Sequence, residues 1–74
     1  MEYIEKIKSE NKAIRRNGLK QLLSDVQSPK QLEKTTVEEY IRNLPFDDSY
    51  DTCRLLSFKI VLYLIKLLYR YSLF

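Results

Sequence analysis

The stretch DDSYDTCRLLSFKIVLYLIKLLYRYSLF, residues 47–74, decides how the whole chain is read. From Leu55 to Phe74 it is apolar except at Ser57, Lys59, Lys66, Arg70 and Ser72. A helix apolar nearly all round needs cover on several sides, from lipid or from protein. A spanning helix needs about 20 largely apolar residues, and the longest charge-free run here is only Ile60 to Ile65. Lys59 and Lys66 would each cost about 2.5–3.5 kcal/mol near the centre of a bilayer. Spanning is therefore not expected. On a helical wheel Lys59, Lys66 and Arg70 fall within roughly 40° of one another, one narrow wet stripe on a greasy rod. Cover by polypeptide is the reading that follows. Two others stay open: a helix lying in a membrane interface with its lysines toward the headgroups, and a helix covered by self-association. Tyr63, Tyr69 and Tyr71 suit a headgroup layer or a protein groove equally well.

Working back from this stretch, Asp47, Asp48 and Ser49 offer N-cap oxygens and negative charge for a helix from about Tyr50 to Tyr71. They are not read as a calcium loop, since the glycine and distal glutamate of an EF-hand are missing. Pro45 stops a preceding helix in which Val37, Tyr40, Ile41 and Leu44 fall at i, i+3, i+4 and i+7. Thr35 with Glu38, or Thr36 with Glu39, has the spacing of a capping box at its start. Ser28-Pro29 breaks the chain. Before that break, Leu19, Leu22, Leu23 and Val26 make an apolar stripe on a helix from about Lys12. Tyr3, Ile4 and Ile7 suggest a short first helix ending near Ser9 to Asn11. The expected architecture is all-α within one unit, 1–74. It comprises a first helical hairpin over 1–27, a connection over 28–34 and a second hairpin over 35–74.

The two longer helices match when the chain is shifted by 39 residues. Ile14 then meets Cys53, Arg15 meets Arg54, Gly18 meets Ser57, Leu19 meets Phe58, Leu22 meets Val61, Leu23 meets Leu62, and Val26 meets Ile65. The apolar matches come cheaply on so greasy a helix. More informative is an arginine followed three residues later by a small residue. A small side chain lets two helices approach closely, and the arginine can reach an acidic group or carbonyl in a neighbouring turn. The offset lies just below the roughly 40–47 residues of HEAT and armadillo repeats. These residues are therefore expected to pack repeat on repeat, with Phe58, Val61, Leu62 and Ile65 forming the core between hairpins.

SENKAIRRNGLKQLLSDV and PFDDSYDTCRLLSFKIVLYLIKLL both resemble the second helix of a HEAT repeat with its preceding turn. More narrowly, the pair is similar to the start of HEAT-repeat dynein axonemal assembly factors, where a helix opens on a D-x-x-x-x-C-R pattern, here Asp48 to Arg54. The resemblance implies stacked antiparallel hairpins and a non-catalytic scaffold in the cytoplasm. It implies partners among dynein chains and chaperones, or further repeats of the same solenoid. Members of that family continue for many repeats, so a fragment of a longer stack, a truncated gene product and a divergent short relative all stay open.

Composition narrows the chemistry. The chain of 74 residues has no histidine and one cysteine, Cys53, so it lacks the commonest general base and any internal disulfide. A chain this short buries only about 60% of its unfolded surface, which usually leaves it in need of a partner. No phosphate-cradling glycine loop, zinc spacing or triad is present, and no cofactor is expected. Cys53 reads as a small packed hydrophobe, although its place near a helix N-terminus would lower its pKa. The net charge of +3 is spread along the chain. Its closest cluster, Lys12, Arg15, Arg16 and Lys20, lacks the concentrated basic face with stacking aromatics that nucleic acid requires. MEYIEKIKSENK is too charged for a signal peptide.

Overall fold

The computed structural model describes residues 2–27 and 32–72, and these form four α-helices: α1 (Glu2–Ile7), α2 (Lys12–Gln27), α3 (Lys34–Asn43) and α4 (Asp51–Ser72). The protein is all-α. The expected break at Ser28-Pro29 and the terminal Leu73-Phe74 lie outside the described residues.

Each helix starts and stops for local reasons. Asn11 caps α2, its Oδ1 accepting from the N–H groups of Ala13 at 2.9 Å and Ile14 at 3.3 Å. Asp48 Oδ1 accepts from the Tyr50 N–H at 2.9 Å, and Asp51 places a negative charge in the first turn of α4. Leu44 is extended ahead of Pro45, so α3 ends at Asn43. The Asn43 amide donates to the Glu39 carbonyl at 2.8 Å, which satisfies one carbonyl of the last turn. The capping box expected at the start of α3 does not form. Glu33 is the N-cap, with no side-chain cap bond. Thr35 and Thr36 lie inside the first turn, where helical backbone leaves neither in the extended conformation a cap needs.

Among the described residues α1 packs on α2, α3 on α4, α2 on α4 and, over a short stretch, α1 on α3. The second and fourth helices run parallel. Cys53 Sγ lies 3.9 Å from the Lys12 carbonyl near both helix starts, and Gln27 Nε2 donates to Tyr63 Oη at 3.2 Å further along. Tyr3 meets Tyr40 edge-on at 6.4 Å where α1 touches α3. Two hairpins set side by side produce these pairings. The shared core contains Ile7, Leu19, Leu22, Val26, Val37, Tyr40, Leu44, Cys53, Leu56, Ile60 and Leu64.

One expectation about this core is corrected. The seam of α4 that faces the other helices is Cys53, Leu56, Ser57, Ile60 and Leu64, and not Phe58, Leu62 and Ile65, which are exposed. Val61 and Leu23 are half-buried against the core, while Ile14 is exposed. The reason is positional. Leu19 and Val26 are buried on the helix against which α4 packs, whereas no described helix covers their counterparts Phe58 and Ile65. Conversely, α2 lies against Cys53, and nothing equivalent lies against Ile14.

Candidate binding surface

The turns before α2 and α4 share two hydrogen bonds at the 39-residue shift and differ in others, since Arg15 Nη1 also donates to the Glu10 carbonyl at 2.9 Å and the side chain of Asn11, the counterpart of Tyr50, caps α2. The Asn11 N–H donates to Ser9 Oγ at 3.1 Å, and its counterpart, the Tyr50 N–H, donates to Asp48 Oδ1 at 2.9 Å. Arg15 Nη1 donates to the Ser9 carbonyl and Arg54 Nη1 to the Asp48 carbonyl, both at 3.0 Å. The small residues fall into place as well. Gly18 sits against Lys6 at the end of α1, where an added Cβ would lie 2.6 Å from the Lys6 Cβ. Ser57 faces the counterpart of Lys6, its Oγ 3.4 Å from the Pro45 carbonyl, and donates more closely to the Cys53 carbonyl at 2.8 Å. Both arginines and both small residues therefore hold the same posts in their hairpins.

The arginines differ in what else they hold. Arg15 reaches from the first hairpin into the second, with Nε donating to Asp48 Oδ2 at 2.8 Å and Nη2 to Oδ1 at 3.1 Å. This two-pronged pair is mostly shielded, the Asp48 side chain being 5% exposed. The guanidinium holds the Asp48 carboxyl below its ordinary pKa, against the opposing effect of burial, and the Tyr50 N–H adds to the lowering. Among the described residues Arg54 has no such acid from a neighbouring hairpin. Its Nη2 turns back along its own helix to Asp51, an i,i+3 pair with both side chains well exposed. Such exposed pairs contribute about 0–1 kcal/mol.

Cys53 is fully buried beside this clamp. Burial, with the nearby Asp48 charge, pushes its thiol pKa up against the lowering effect of Arg15 and Arg16. Among the described residues no cluster of histidine, cysteine or carboxylate side chains is placed to hold a metal ion, and no helix is long and apolar enough to cross a membrane.

The feature left unpartnered is the outer face of α4. Leu55, Phe58, Leu62, Ile65 and Tyr69 are all at least half exposed, with Leu55 and Leu62 each at 62%. Their spacing alternates three and four residues, the rhythm of a seam that receives another helix. Phe46 supports one edge, its ring tilted against Phe58 at 5.4 Å. Exposed Lys59, Lys66 and Arg70 line the other edge. Full burial of a Leu or Phe contributes about 1.5–3 kcal/mol, and that contribution is unrealised for this row. The sequence reading places Phe58, Leu62 and Ile65 in the core between the two hairpins instead of on an open face, and does not assign Leu55 to packing. The alternating spacing was the available signal. Comparison with protein-family models, with curated proteins and with solved structures finds no match.

Proposed function

We infer that the chain is a non-catalytic helical-repeat module that binds another polypeptide along the outer face of α4. The observation that carries this reading is the uncovered row Leu55, Phe58, Leu62, Ile65 and Tyr69, placed on the side of α4 where a third hairpin would stack. The hydrogen bonds that the two turns share support a HEAT-like unit. Absence of histidine and burial of the single thiol go with a binding role. A cytoplasmic setting accords with one unpaired, buried cysteine. A role in dynein assembly rests on the resemblance alone and is left outside this reading.

A photo-crosslinking residue at Leu62, compared with one at Gln21 on the far side of α2, tests the reading in cells expressing the chain. Polypeptide adducts from position 62 and none from position 21 are the expected result. Adducts to lipid, or none from position 62, would overturn it.

A further inference from the structure

We propose that the partner presents a helical hairpin with a carboxylate in its turn, which grips Arg54 as Asp48 grips Arg15, and a helix with acidic residues along one flank, laid parallel to α4. This inference rests on the binding role above and adds the chemistry and orientation of the partner.

The contact between the two hairpins serves as the template. On α2, Arg15 takes the Asp48 carboxylate, while Leu19 and Val26 are buried and Leu23 is half-buried in the core shared with α4. Shifted by 39 residues these positions become Arg54, Phe58, Leu62 and Ile65, which form the open surface. Arg54 Nη1 makes the same bond to the carbonyl of its own turn that Arg15 Nη1 makes, which holds its guanidinium beside that turn. Among the described residues its Nη2 is held by an exposed Asp51, a contact easily exchanged for a carboxylate that arrives with a buried helix. Beside the seam, Lys59, Lys66 and Arg70 set the sign of the partner's flank.

A second copy of the chain does not meet these requirements. Stacked head to tail, it would bring Ser9, not an acid, to Arg54. It would also lay the outer face of α2 on the seam, and there Asn17, Gln21 and Ser24 are polar and exposed. Seam to seam, an antiparallel pair sets the Lys59 and Lys66 edges against each other. A parallel pair puts Arg54 beside Lys59 of the second copy. Every arrangement brings like charges together or covers apolar surface with polar groups.

The test uses the whole chain and three synthetic helical hairpins with the same leucine seam. One has Asp in the turn and Glu along the flank, the second replaces the turn Asp by Asn, and the third replaces the flank Glu by Lys. Binding is read by fluorescence anisotropy at several salt concentrations. The Asp/Glu hairpin is expected to bind at least tenfold more tightly than either other form, and increasingly so at low salt. Arg54→Gln should erase the preference for Asp over Asn. The double charge reversal Lys59→Glu with Lys66→Glu should transfer preference to the lysine-flanked hairpin. Circular dichroism checks that these exposed substitutions leave the fold intact. Equal binding of all three hairpins would overturn this inference and leave the binding role standing, as would failure of the Asp/Glu form while position 62 still cross-links to protein. Two other results would also overturn it. One is binding to phosphatidylserine vesicles that Leu62→Ser abolishes, and the other is concentration-dependent dimerisation in sedimentation that Leu62→Ser abolishes.

Discussion

Replacing Gly18 by alanine puts helix propensity and packing in direct opposition. In an open helix the change is stabilising by about 1 kcal/mol, because glycine is the poorer helix former. Here the new Cβ would lie 2.6 Å from the Lys6 Cβ, with the Ile7 nitrogen at 3.4 Å and the Lys6 carbonyl carbon at 3.5 Å. Ordinary carbon contacts are about 3.5–4.0 Å, so the overlap is on the order of 1 Å. The obstructing atom is the root of a side chain and cannot swing away. Relief requires α1 to back off α2 as a body, which loosens Tyr3, Ile4 and the nearly buried Ile7. Overpacking of this kind costs about 1–3 kcal/mol, leaving a net loss of about 1 kcal/mol after the propensity gain. With a urea slope of about 1 kcal/mol per molar, the midpoint in far-ultraviolet circular dichroism should fall by about 1 M. Asn17→Ala, at an exposed site on the same helix, should raise the midpoint slightly. If Gly18→Ala instead stabilises by the full propensity gain, α1 is not seated on α2 as described. The duplicated placement of Gly18 and Ser57 then fails with it.

The two faces of α4 should separate cleanly in a pair of alanine substitutions. Ile60→Ala should cost about 2–5 kcal/mol for a fully buried side chain, and Leu62→Ala less than about 0.5 kcal/mol; urea unfolding gives both, and reversed magnitudes would mean the helix is rotated. Asp48→Asn should flatten the acid limb of the stability profile. The folded carboxyl has a lowered pKa, so its contribution is present above the ordinary carboxylate pKa and is lost as pH falls through the lowered one. A series of unfolding curves between about pH 2 and 6 checks this, and an unchanged limb would count against the Arg15 clamp. Glu33→Asp should stabilise by about 0.5–1 kcal/mol, by giving α3 the side-chain cap it lacks; a shift of the urea midpoint in either direction decides it.

The helices themselves were legible because their signals are local. Asn11, Pro45 and the acidic turn before α4 act within a few residues, and the stripes Leu19-Leu22-Val26 and Val37-Tyr40-Leu44 have one apolar side each. The 39-residue echo was also visible, and the bonds from Arg15 and Arg54 to carbonyls six residues back give it a structural cause. Where the reading of α3 went astray, at Thr35 and Thr36, capping-box spacing occurred twice in succession and the helix started before both.

Which side of α4 faces inward was not legible, because a helix with apolar residues nearly all round carries no periodic mark of its buried face. That choice belongs to the neighbours. α2 lies against Cys53, Pro45 lies against Ser57, Ile60 and Leu64 are buried in the shared core, and no described helix covers Leu55, Phe58, Leu62, Ile65 or Tyr69. The sequence by itself determined where the helices lie and that two of them are built alike. Only tertiary packing decided that Asp48 would close on Arg15 across 33 residues of chain. It also decided that Arg54 would be left facing outward, since a partner so distant in sequence is set by how helices stack and not by spacing.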